Sequence, residues 1–182
     1  MVEKYKTCQH TPAHLFKANS IYMITGATYK KRGLLTGEEP KLRWYESLKR
    51  GCEEYGWQIW AWVVLDNHYH IILEAPEEAE TLPSLIRDLH RFTALWVKKN
   101  VATAKEIKRI WYNYWDTCIS YQTSFLARLN YVHHNPVKHG YVEDASEYPF
   151  GSYYTAFREQ RDMWLKNEKK YPWDKVKVSD DF

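Results

Sequence analysis

The sequence predicts an α+β fold, in which an antiparallel β-sheet carries two helices on one face and the elements follow the order β-α-β-β-α-β. Two observations lead to this prediction. Runs rich in aromatic and β-branched residues, typical of strands, alternate with stretches whose apolar residues recur every three or four positions, as in amphipathic helices. One pair of strand-like runs is separated by only two turn-forming residues, which predicts an antiparallel hairpin.

The first predicted strand and helix lie before Gly56. Residues 20–29 (SIYMITGATY) have the composition of a strand, and the basic turn at residues 30–33 ends it. From Pro40 to Tyr55 the apolar residues recur at spacings of three and four, which predicts one face of an amphipathic helix. Gly56 is well suited to end that helix.

A hairpin follows directly. Residues 57–65 (WQIWAWVVL) and 68–75 (HYHIILEA) are strand-like runs on either side of Asp66 and Asn67, which tolerate the left-handed conformation of a tight turn. The second strand of this hairpin therefore begins at His68.

The second half of the chain adds a helix, a strand and a third helix. Apolar periodicity predicts a helix over residues 81–100, aromatic residues predict a strand over 110–120, and a helix over 124–134 is expected to stop at Asn135 and Pro136. The complete order is that of a ferredoxin-like fold with an additional C-terminal helix. In that fold the sheet face without the two helices is expected to stay open for a site.

The end of the chain differs from the rest. Residues 1–158 are expected to form one domain, and residues 159–182 a polar, charged C-terminal tail. The isolated aromatic residues of the tail, Trp164, Tyr171 and Trp173, predict that it lies along the surface.

The composition permits a nucleic-acid partner and excludes several other classes of protein. A net charge of +3 is mildly basic, and nine Trp and fifteen Tyr can stack on bases as well as fill a core. Cys8, Cys52 and Cys118 are too scattered for a disulfide framework or a zinc cluster. The longest apolar run, residues 59–65, is too short to cross a bilayer and no signal core precedes it, so a cytoplasmic protein without a membrane partner is expected.

The first chemical pattern is the pair of histidines at the start of the predicted hairpin strand. Because alternate strand residues share a face, His68 and His70 project together while Tyr69 points to the opposite face. Two imidazoles on one face provide half of a metal site. The pair taken alone is equally compatible with chance.

The second pattern is on the predicted third helix. At about 100° per residue, Leu129 and Val132 belong to an apolar stripe, whereas Tyr131 and Asn135 fall together on the opposite side. Each of these two residues also has a plain structural explanation, Tyr131 as an amphipathic residue at the core edge and Asn135 as a helix-terminal residue before Pro136.

Together the two patterns predict phosphoryl transfer by a tyrosine. A metal ion would neutralise charge on the phosphate, which a phenol with an ordinary pKa near 10 needs before it can attack. The resulting phosphotyrosine would conserve the phosphodiester bond, so that a free hydroxyl group of another strand could reverse the step. The sequence therefore predicts a metal-dependent nuclease and strand transferase that acts on single-stranded DNA.

The sequence also resembles a known family in three blocks. Residues 63–76 (VVLDNHYHIILEAP), 131–141 (YVHHNPVKHGY) and 148–153 (YPFGSY) are similar, in this order, to the HUH-superfamily single-tyrosine transposases of insertion sequences, especially the REP-associated tyrosine transposases. The resemblance covers residues 20–157. It implies a ferredoxin-like fold, a Mg²⁺ or Mn²⁺ ion, recognition of a hairpin in single-stranded DNA and a 5′-phosphotyrosine intermediate, in a nucleoid-associated monomer or homodimer.

The resemblance also assigns site residues. His68 and His70 match the HUH pair, Tyr131 matches the nucleophile, and Asn135 takes the place of the polar third metal ligand. His134 could compete with Asn135 as a ligand. Three further tyrosines could compete with Tyr131 as nucleophile, namely Tyr112, Tyr114 and Tyr121.

Contacts with DNA are predicted from charge and aromatic content. Cationic side chains bind phosphates without regard to sequence, and the candidates are Lys30, Lys31, Arg32, Arg87, Arg91, Lys105, Lys108 and Arg109. An aromatic run comprises Trp111, Tyr112, Tyr114 and Trp115. Its members could stack on unpaired bases, although about half of them are expected to lie in the core.

Two other functions remain compatible with these residues. A replication initiator or relaxase uses the same chemistry, although such proteins are usually longer. A domesticated protein that binds hairpins without cutting them is the alternative from a different class. Two-histidine phosphoesterases are excluded because the sequence has no pair of separated His-x-Thr/Ser motifs.

Overall fold

The computed structural model describes residues 4–6, 14–155 and 166–176. Its main strands and helices are, in chain order, β1 (Lys4–Lys6), β2 (His14–Phe16), β3 (Ile21–Ala27), α1 (Glu38–Tyr55), β4 (Gln58–Val64), β5 (His68–Glu74), α2 (Leu82–Asn100), β6 (Trp115–Ile119) and α3 (Gln122–Lys138). No helix among the described residues is both long enough and apolar enough to span a membrane. Cys52 and Cys118 are free thiols, and Cys8 lies outside the described residues.

The central sheet has four antiparallel strands in the order β4-β5-β3-β6. The element order from β3 to β6 is β-α-β-β-α-β, with the first strand in the middle beside the third, so the predicted ferredoxin-like fold is confirmed. β1 and β2 form a separate two-stranded ribbon before it.

The hairpin between β4 and β5 forms where the sequence predicts it, but its turn is built differently. Leu65 donates its backbone N–H to the carbonyl of His68 (2.8 Å), which places Asp66 and Asn67 at the centre of the turn. Neither central residue has a positive φ, so the predicted left-handed conformation is wrong. The Asp66 carboxylate is instead held by the buried Lys41 ammonium at 2.5 Å, an ion pair that fixes the turn against α1.

One face of the sheet is covered by α1 and α2, as predicted. Tyr69 of β5 is fully buried there, with its ring 4.9 Å from that of Trp44 and 5.6 Å from that of Trp111. The Tyr69 ring lies directly over Gly26 of β3, where a side chain would find no space. This face also holds the larger apolar core, which we call the first core. Its other members include Tyr22, Ile24, Leu48, Ile71, Leu73, Leu85 and Leu89.

The other face of the sheet is covered by α3, so the expectation of an open face is wrong. The strand residues that point to this side are themselves largely apolar and need covering by another element. They form a second core with α3, whose buried members are Met23, Ala61, Val63, Leu65, Ile72, Leu129, Tyr131, Val132 and Tyr148. The histidine pair therefore lies between the sheet and a helix.

α3 does not stop at Asn135 and Pro136 as predicted, but continues to Lys138. Proline lacks an N–H and cannot bond back to the preceding turn, yet the backbone closes after it. The His139 N–H donates to the carbonyl of Asn135 (3.1 Å), and Gly140 follows with φ +71°. This extra turn places Lys138 beside Tyr131, and His139, which follows it, beside His68 of β5.

β6 is shorter than the predicted strand over residues 110–120. Only Trp115–Ile119 pair continuously with β3. Before them, Trp111 forms a single bridge with Thr28, and the Tyr112 N–H donates to the Ala27 carbonyl at 2.7 Å. The register of pairing with β3 shifts by one residue between Trp111 and Trp115, so the simple alternation of side chains between the two faces does not hold across this segment.

Two later segments pack on α3 and β4. The Tyr148 hydroxyl donates to the Val64 carbonyl (2.8 Å), and Gly151 forms a bridge with Val63. From residues 166–176, Trp173 stacks on His134 with ring centroids 5.4 Å apart. The described part of the predicted tail thus packs against α3, while Trp164 lies outside the described residues.

We expect the stability of the fold to decrease on acidification because of His90. This ring stacks on Trp111 and shares a hydrogen bond with the Tyr69 hydroxyl (2.9 Å), and burial lowers its pKa from 6.5 to about 3. The unfolded chain binds this proton below about pH 6.5, whereas the folded chain excludes it until about pH 3. His90 should therefore lower the free energy of unfolding by about 1.4 kcal/mol for each unit by which the pH falls within that window.

Urea unfolding at several pH values between about 7 and 5 measures this effect. The variant His90→Gln has no proton to bind at this position, so its unfolding free energy should depend less on pH than that of the unmodified protein. An identical pH dependence in the two proteins would show that His90 is protonated equally in the folded and unfolded states.

Candidate functional site

The histidine pair lies on the α3 face of the sheet, in a row of residues that crosses all four strands. His70 pairs with Val63 of β4 on one side and Thr25 of β3 on the other, and Thr25 pairs in turn with Trp115 of β6. Opposite residues in antiparallel strands share a face. His68 occupies the next row on the same face, as the alternation predicts, and both histidines are buried.

Each histidine has a hydrogen-bond partner at Nδ1. The Nδ1 of His68 lies 2.7 Å from Oδ1 of Asn67, and that of His70 lies 2.8 Å from Oγ1 of Thr25. Both contacts fix the ring orientation. The Asn67 amide oxygen can only accept, so it favours a His68 tautomer whose lone pair is on Nε2, whereas the Thr25 hydroxyl can donate to His70 or accept from it. Both Nε2 atoms are buried.

The pKa of His70 is lowered to about 3, first by burial and then by the nearby His139 and Lys138. His70 is therefore neutral near pH 7. A neutral imidazole is the form that coordinates a metal ion.

Tyr131 of α3 lies directly beside this pair. Its ring centroid is 5.2 Å from that of His70, at an interplanar angle of 79°, and only 1% of its surface is exposed. The prediction that Tyr131 points away from the apolar side of α3 is wrong, because it shares the second core with Leu129 and Val132. The sheet and the later segments enclose α3 on more than one side, which a helical wheel does not describe.

Asn135 follows Tyr131 by one turn and is fully buried, including its Oδ1 atom. The competing candidate His134 points elsewhere: its Nδ1 lies 3.1 Å from the Asn130 carbonyl and its ring stacks on Trp173. No group of three His, Cys, Asp or Glu able to hold a metal occurs in the described part of the chain. The assignment of the Asn135 amide as the third ligand stays a prediction.

The extra turn of α3 adds two residues that the sequence analysis missed. The Lys138 ammonium donates a hydrogen bond to the Tyr131 hydroxyl (3.1 Å) and lies 5.0 Å from the centre of its ring. The ring of His139 is 4.6 Å from that of His68. The spacing Tyr131 to Lys138, two helical turns, was visible in the sequence, but the predicted stop at Pro136 concealed it.

The competing tyrosines lie elsewhere. Tyr114 packs against the first core, where burial raises its pKa. Tyr121 precedes α3 with 76% of its surface exposed, and Tyr112 stacks between Tyr29 and Trp115 near the start of β6. Of the four tyrosines considered, Tyr131 is the one in ring contact with the histidine pair.

Four of the predicted DNA-binding cations gather where β3 ends. Lys30 and Lys31 lie in the exposed turn after β3 with φ values of 59° and 54°, and Arg32 follows them. The Arg109 guanidinium lies 5.4 Å from the ring of Tyr29. All four are exposed, and both Lys30 and Arg109 contact the ring of Tyr29.

The other four predicted cations are more dispersed. Arg87 and Arg91 belong to α2, which covers the sheet face opposite to the histidine pair, and Arg87 pairs with Asp88 at 3.3 Å. Lys105 and Lys108 are exposed in the segment between α2 and β6. The structure therefore does not bring all eight cations to one surface.

Comparison with known proteins identifies the family. A family described as "Transposase IS200 like" matches residues 17–135, well over half of the chain. The REP-associated tyrosine transposase of Escherichia coli K12 is 29% identical over 142 residues, which cover 73% of this chain and 80% of that protein. A structure described as a REP-associated tyrosine transposase bound to a REP hairpin superposes with a TM-score of 0.68 at 23% identity, covering 96% of this chain and 95% of the other, and so confirms the fold. With the fold, the histidine pair and Tyr131 in place, the chain belongs to the IS200-like transposase family of DNA-cleaving enzymes and is similar to the REP-associated tyrosine transposases.

Proposed function

We propose that this transposase cleaves and rejoins single-stranded DNA beside a hairpin, with Tyr131 as the nucleophile. The observation that carries the proposal is the position of the Tyr131 hydroxyl, which receives a hydrogen bond from Lys138 while the tyrosine ring packs on His70. A nucleophile, a cation and two oriented imidazoles thus meet in one place. This combination suits attack on a phosphodiester, whose reaction develops negative charge.

We propose further that His68, His70 and Asn135 bind a divalent ion, Mg²⁺ or Mn²⁺. The donor set fits such an ion, because both imidazoles are oriented through Nδ1 and an amide oxygen is buried one helical turn from Tyr131. Imidazole ligands favour Mn²⁺ and other transition metals over Mg²⁺, which relies more on oxygen ligands and water. When bound, the ion would supply Lewis-acid stabilisation of the phosphate charge.

In the proposed reaction, the Tyr131 oxygen attacks phosphorus. An O–P bond forms as the bond from phosphorus to the 3′-oxygen of the preceding nucleotide breaks. The phenol proton passes to water, and the departing 3′-oxygen takes up a proton and leaves as a hydroxyl group. The 5′-phosphate of the downstream strand then stays linked to Tyr131, and attack by the 3′-hydroxyl of a second strand reverses the step and joins the two strands.

A DNA hairpin is the proposed recognition element. The structurally similar transposase is described as bound to a REP hairpin. The mildly basic charge of this chain and the cations at the end of β3 are compatible with a polyanionic partner.

Covalent capture of labelled DNA tests the proposal. Hairpin DNA with a single-stranded flank is incubated with the protein and Mn²⁺, with the label at either the 3′ or the 5′ end, and is then separated under denaturing conditions. A 5′-phosphotyrosine predicts an adduct that carries the 3′ label only, that does not form when EDTA is present from the start of the incubation, and that forms again when Mn²⁺ is added in excess over EDTA. Binding of hairpins without any adduct would favour a protein that only recognises DNA.

Removal of the Lys138 ammonium should slow adduct formation more than it weakens binding. Lys138 contacts the attacking oxygen, so Lys138→Met should lower the single-turnover rate by about tenfold or more, whereas Lys138→Arg should retain part of it. The matched control is Lys99→Met, a lysine in the last turn of α2 that should leave the rate unchanged. Equal rates in Lys138→Met and the control would show that Lys138 does not act on Tyr131.

A further inference from the structure

Three aromatic side chains form a continuous stack at the β6 edge of the sheet, which we call the edge stack: Tyr29, Tyr112 and Trp115. The rings of Tyr29 and Tyr112 are 6.1 Å apart and inclined by 19°, and those of Tyr112 and Trp115 are 5.7 Å apart and inclined by 21°. The pairing of Tyr112 with Ala27 and of Trp115 with Thr25 brings these residues together, although two residues separate them in sequence.

The edge stack differs from the core in its exposure. Tyr112, its central member, has 43% of its surface exposed, and Tyr29 and Trp115 are only partly buried. The other two aromatic residues of the segment 111–115 belong to the core instead: Trp111 is buried, and Tyr114 packs on the first core. A contiguous aromatic surface that stays exposed often marks a binding site.

The edge stack also carries positive charge. The Arg109 guanidinium lies 5.4 Å from the Tyr29 ring and 5.1 Å from the Tyr112 ring, and the Lys30 ammonium lies 5.9 Å from the Tyr29 ring. Arg109 is held in this place by neutral partners, since it donates to the Trp111 carbonyl and to Asn113. Stacked aromatic rings with adjacent cations are the combination that binds bases and phosphates of an unpaired strand.

The position of the edge stack connects it to the histidine pair. Trp115 lies in the same cross-strand row as Thr25 and His70 and on the same face of the sheet. With adjacent strands about 4.8 Å apart, the Trp115 backbone is about 10 Å from that of His70. This separation corresponds to roughly two or three nucleotides of stacked single strand at about 3.4 Å each.

We propose that the edge stack and Arg109 bind the unpaired nucleotides that flank the cleavage position, by stacking on their bases and contacting their phosphates. This inference rests on the proposed function, since it assigns the path of the single strand at the same site. It also divides the aromatic run by role, with Tyr112 and Trp115 facing DNA and Trp111 and Tyr114 supporting the core.

Binding of an oligothymidylate of roughly twelve nucleotides, some positions of which carry 2-aminopurine, tests the inference without requiring cleavage. Stacking on an aromatic ring quenches 2-aminopurine, so the unmodified protein should quench it. Tyr112→Leu should abolish the quenching and weaken binding by about tenfold, whereas Tyr112→Phe, which keeps the ring, should bind within about twofold of the unmodified protein.

The matched control is Trp60→Leu, which removes an aromatic residue of similar exposure (46%) from the opposite edge strand and should change neither signal. Arg109→Gln serves as the second variant if Tyr112→Leu is unstable, with weaker binding expected and a smaller salt dependence. Absence of quenching by the unmodified protein, or equal binding by Tyr112→Leu, Arg109→Gln and Trp60→Leu, would overturn the inference.

Failure of this inference is distinguishable from failure of the proposed cleavage. A protein that forms the adduct but is insensitive to Tyr112→Leu in the oligothymidylate assay refutes the edge stack alone. A protein that quenches 2-aminopurine through Tyr112 but forms no adduct retains the binding site and refutes cleavage.

Discussion

Tyr131→Phe is expected to abolish covalent capture of DNA while leaving the fold and DNA binding intact. The substitution removes only the hydroxyl group, which is the attacking atom, and keeps the ring that packs 5.2 Å from His70. Removal of a nucleophile typically reduces an enzymatic rate by roughly a thousandfold or more, so no adduct should be detected. The measurement is the yield of the 3′-labelled adduct under denaturing conditions, with hairpin binding measured in parallel.

Two of the three competing tyrosines, Tyr114 and Tyr121, provide the matched controls. Tyr121→Phe and Tyr114→Phe change hydroxyl groups that lie away from the histidine pair, so both variants should form the adduct at the unmodified rate. An adduct that persists in Tyr131→Phe and disappears in one of these variants would reassign the nucleophile.

Gly26→Ala should produce the largest loss of stability among substitutions that add only a methyl group. A Cβ atom at this position of β3 would lie 2.4 Å from Cζ and 2.5 Å from Oη of Tyr69. The Tyr69 ring cannot withdraw easily, because it is fully buried between Trp44 and Trp111. We expect a decrease in unfolding free energy of about 2 to 4 kcal/mol, since overpacking of a rigid core forces the backbone to move.

Gly51→Ala provides the internal control for this prediction. Gly51 is also buried, but it lies inside α1, and an added Cβ would be 3.6 Å from Leu85, an ordinary van der Waals contact. Alanine is favoured over glycine in a helix, so this variant should be more stable by about 0.5 to 1 kcal/mol. Urea unfolding of both variants checks the pair, and a Gly26→Ala protein as stable as Gly51→Ala would refute the packing argument.

Gly26→Ala and Tyr131→Phe should affect function differently. Tyr69 stands between His68 and His70 on β5 and points to the opposite face, so a displacement of its ring by Gly26→Ala would also shift the strand that carries the pair. We therefore expect Gly26→Ala to lower both stability and adduct yield, whereas Tyr131→Phe lowers adduct yield alone. The combination separates a damaged scaffold from a missing nucleophile.

Local patterns in the sequence were sufficient for the framework of the fold. Alternation along β5 placed His68 and His70 on one face because strand geometry has a period of two wherever the strand lies. Periodicity identified α1 and α2, and the short loop between β4 and β5 identified the hairpin. These features depend on neighbours in sequence, so a local reading recovers them.

Helix α3 shows where a local reading fails. Pro136 is locally unfavourable in a helix, but contacts of α3 with the sheet and with residues 166–176 hold the helix through it. The extension places Lys138 on Tyr131 and His139 beside His68. Neither contact follows from the residue pattern, because each depends on the helix continuing where propensity predicts an end.

The sequence by itself determined the α+β order of elements and the shared face of the histidine pair, and it indicated Tyr131 as the candidate nucleophile. Only the tertiary structure decided that the face is covered by α3 and that the aromatic run divides between the core and the edge stack. The physical reason is that alternation and helical periodicity fix the direction of a side chain relative to its own element. What lies in that direction is decided by which other elements pack there.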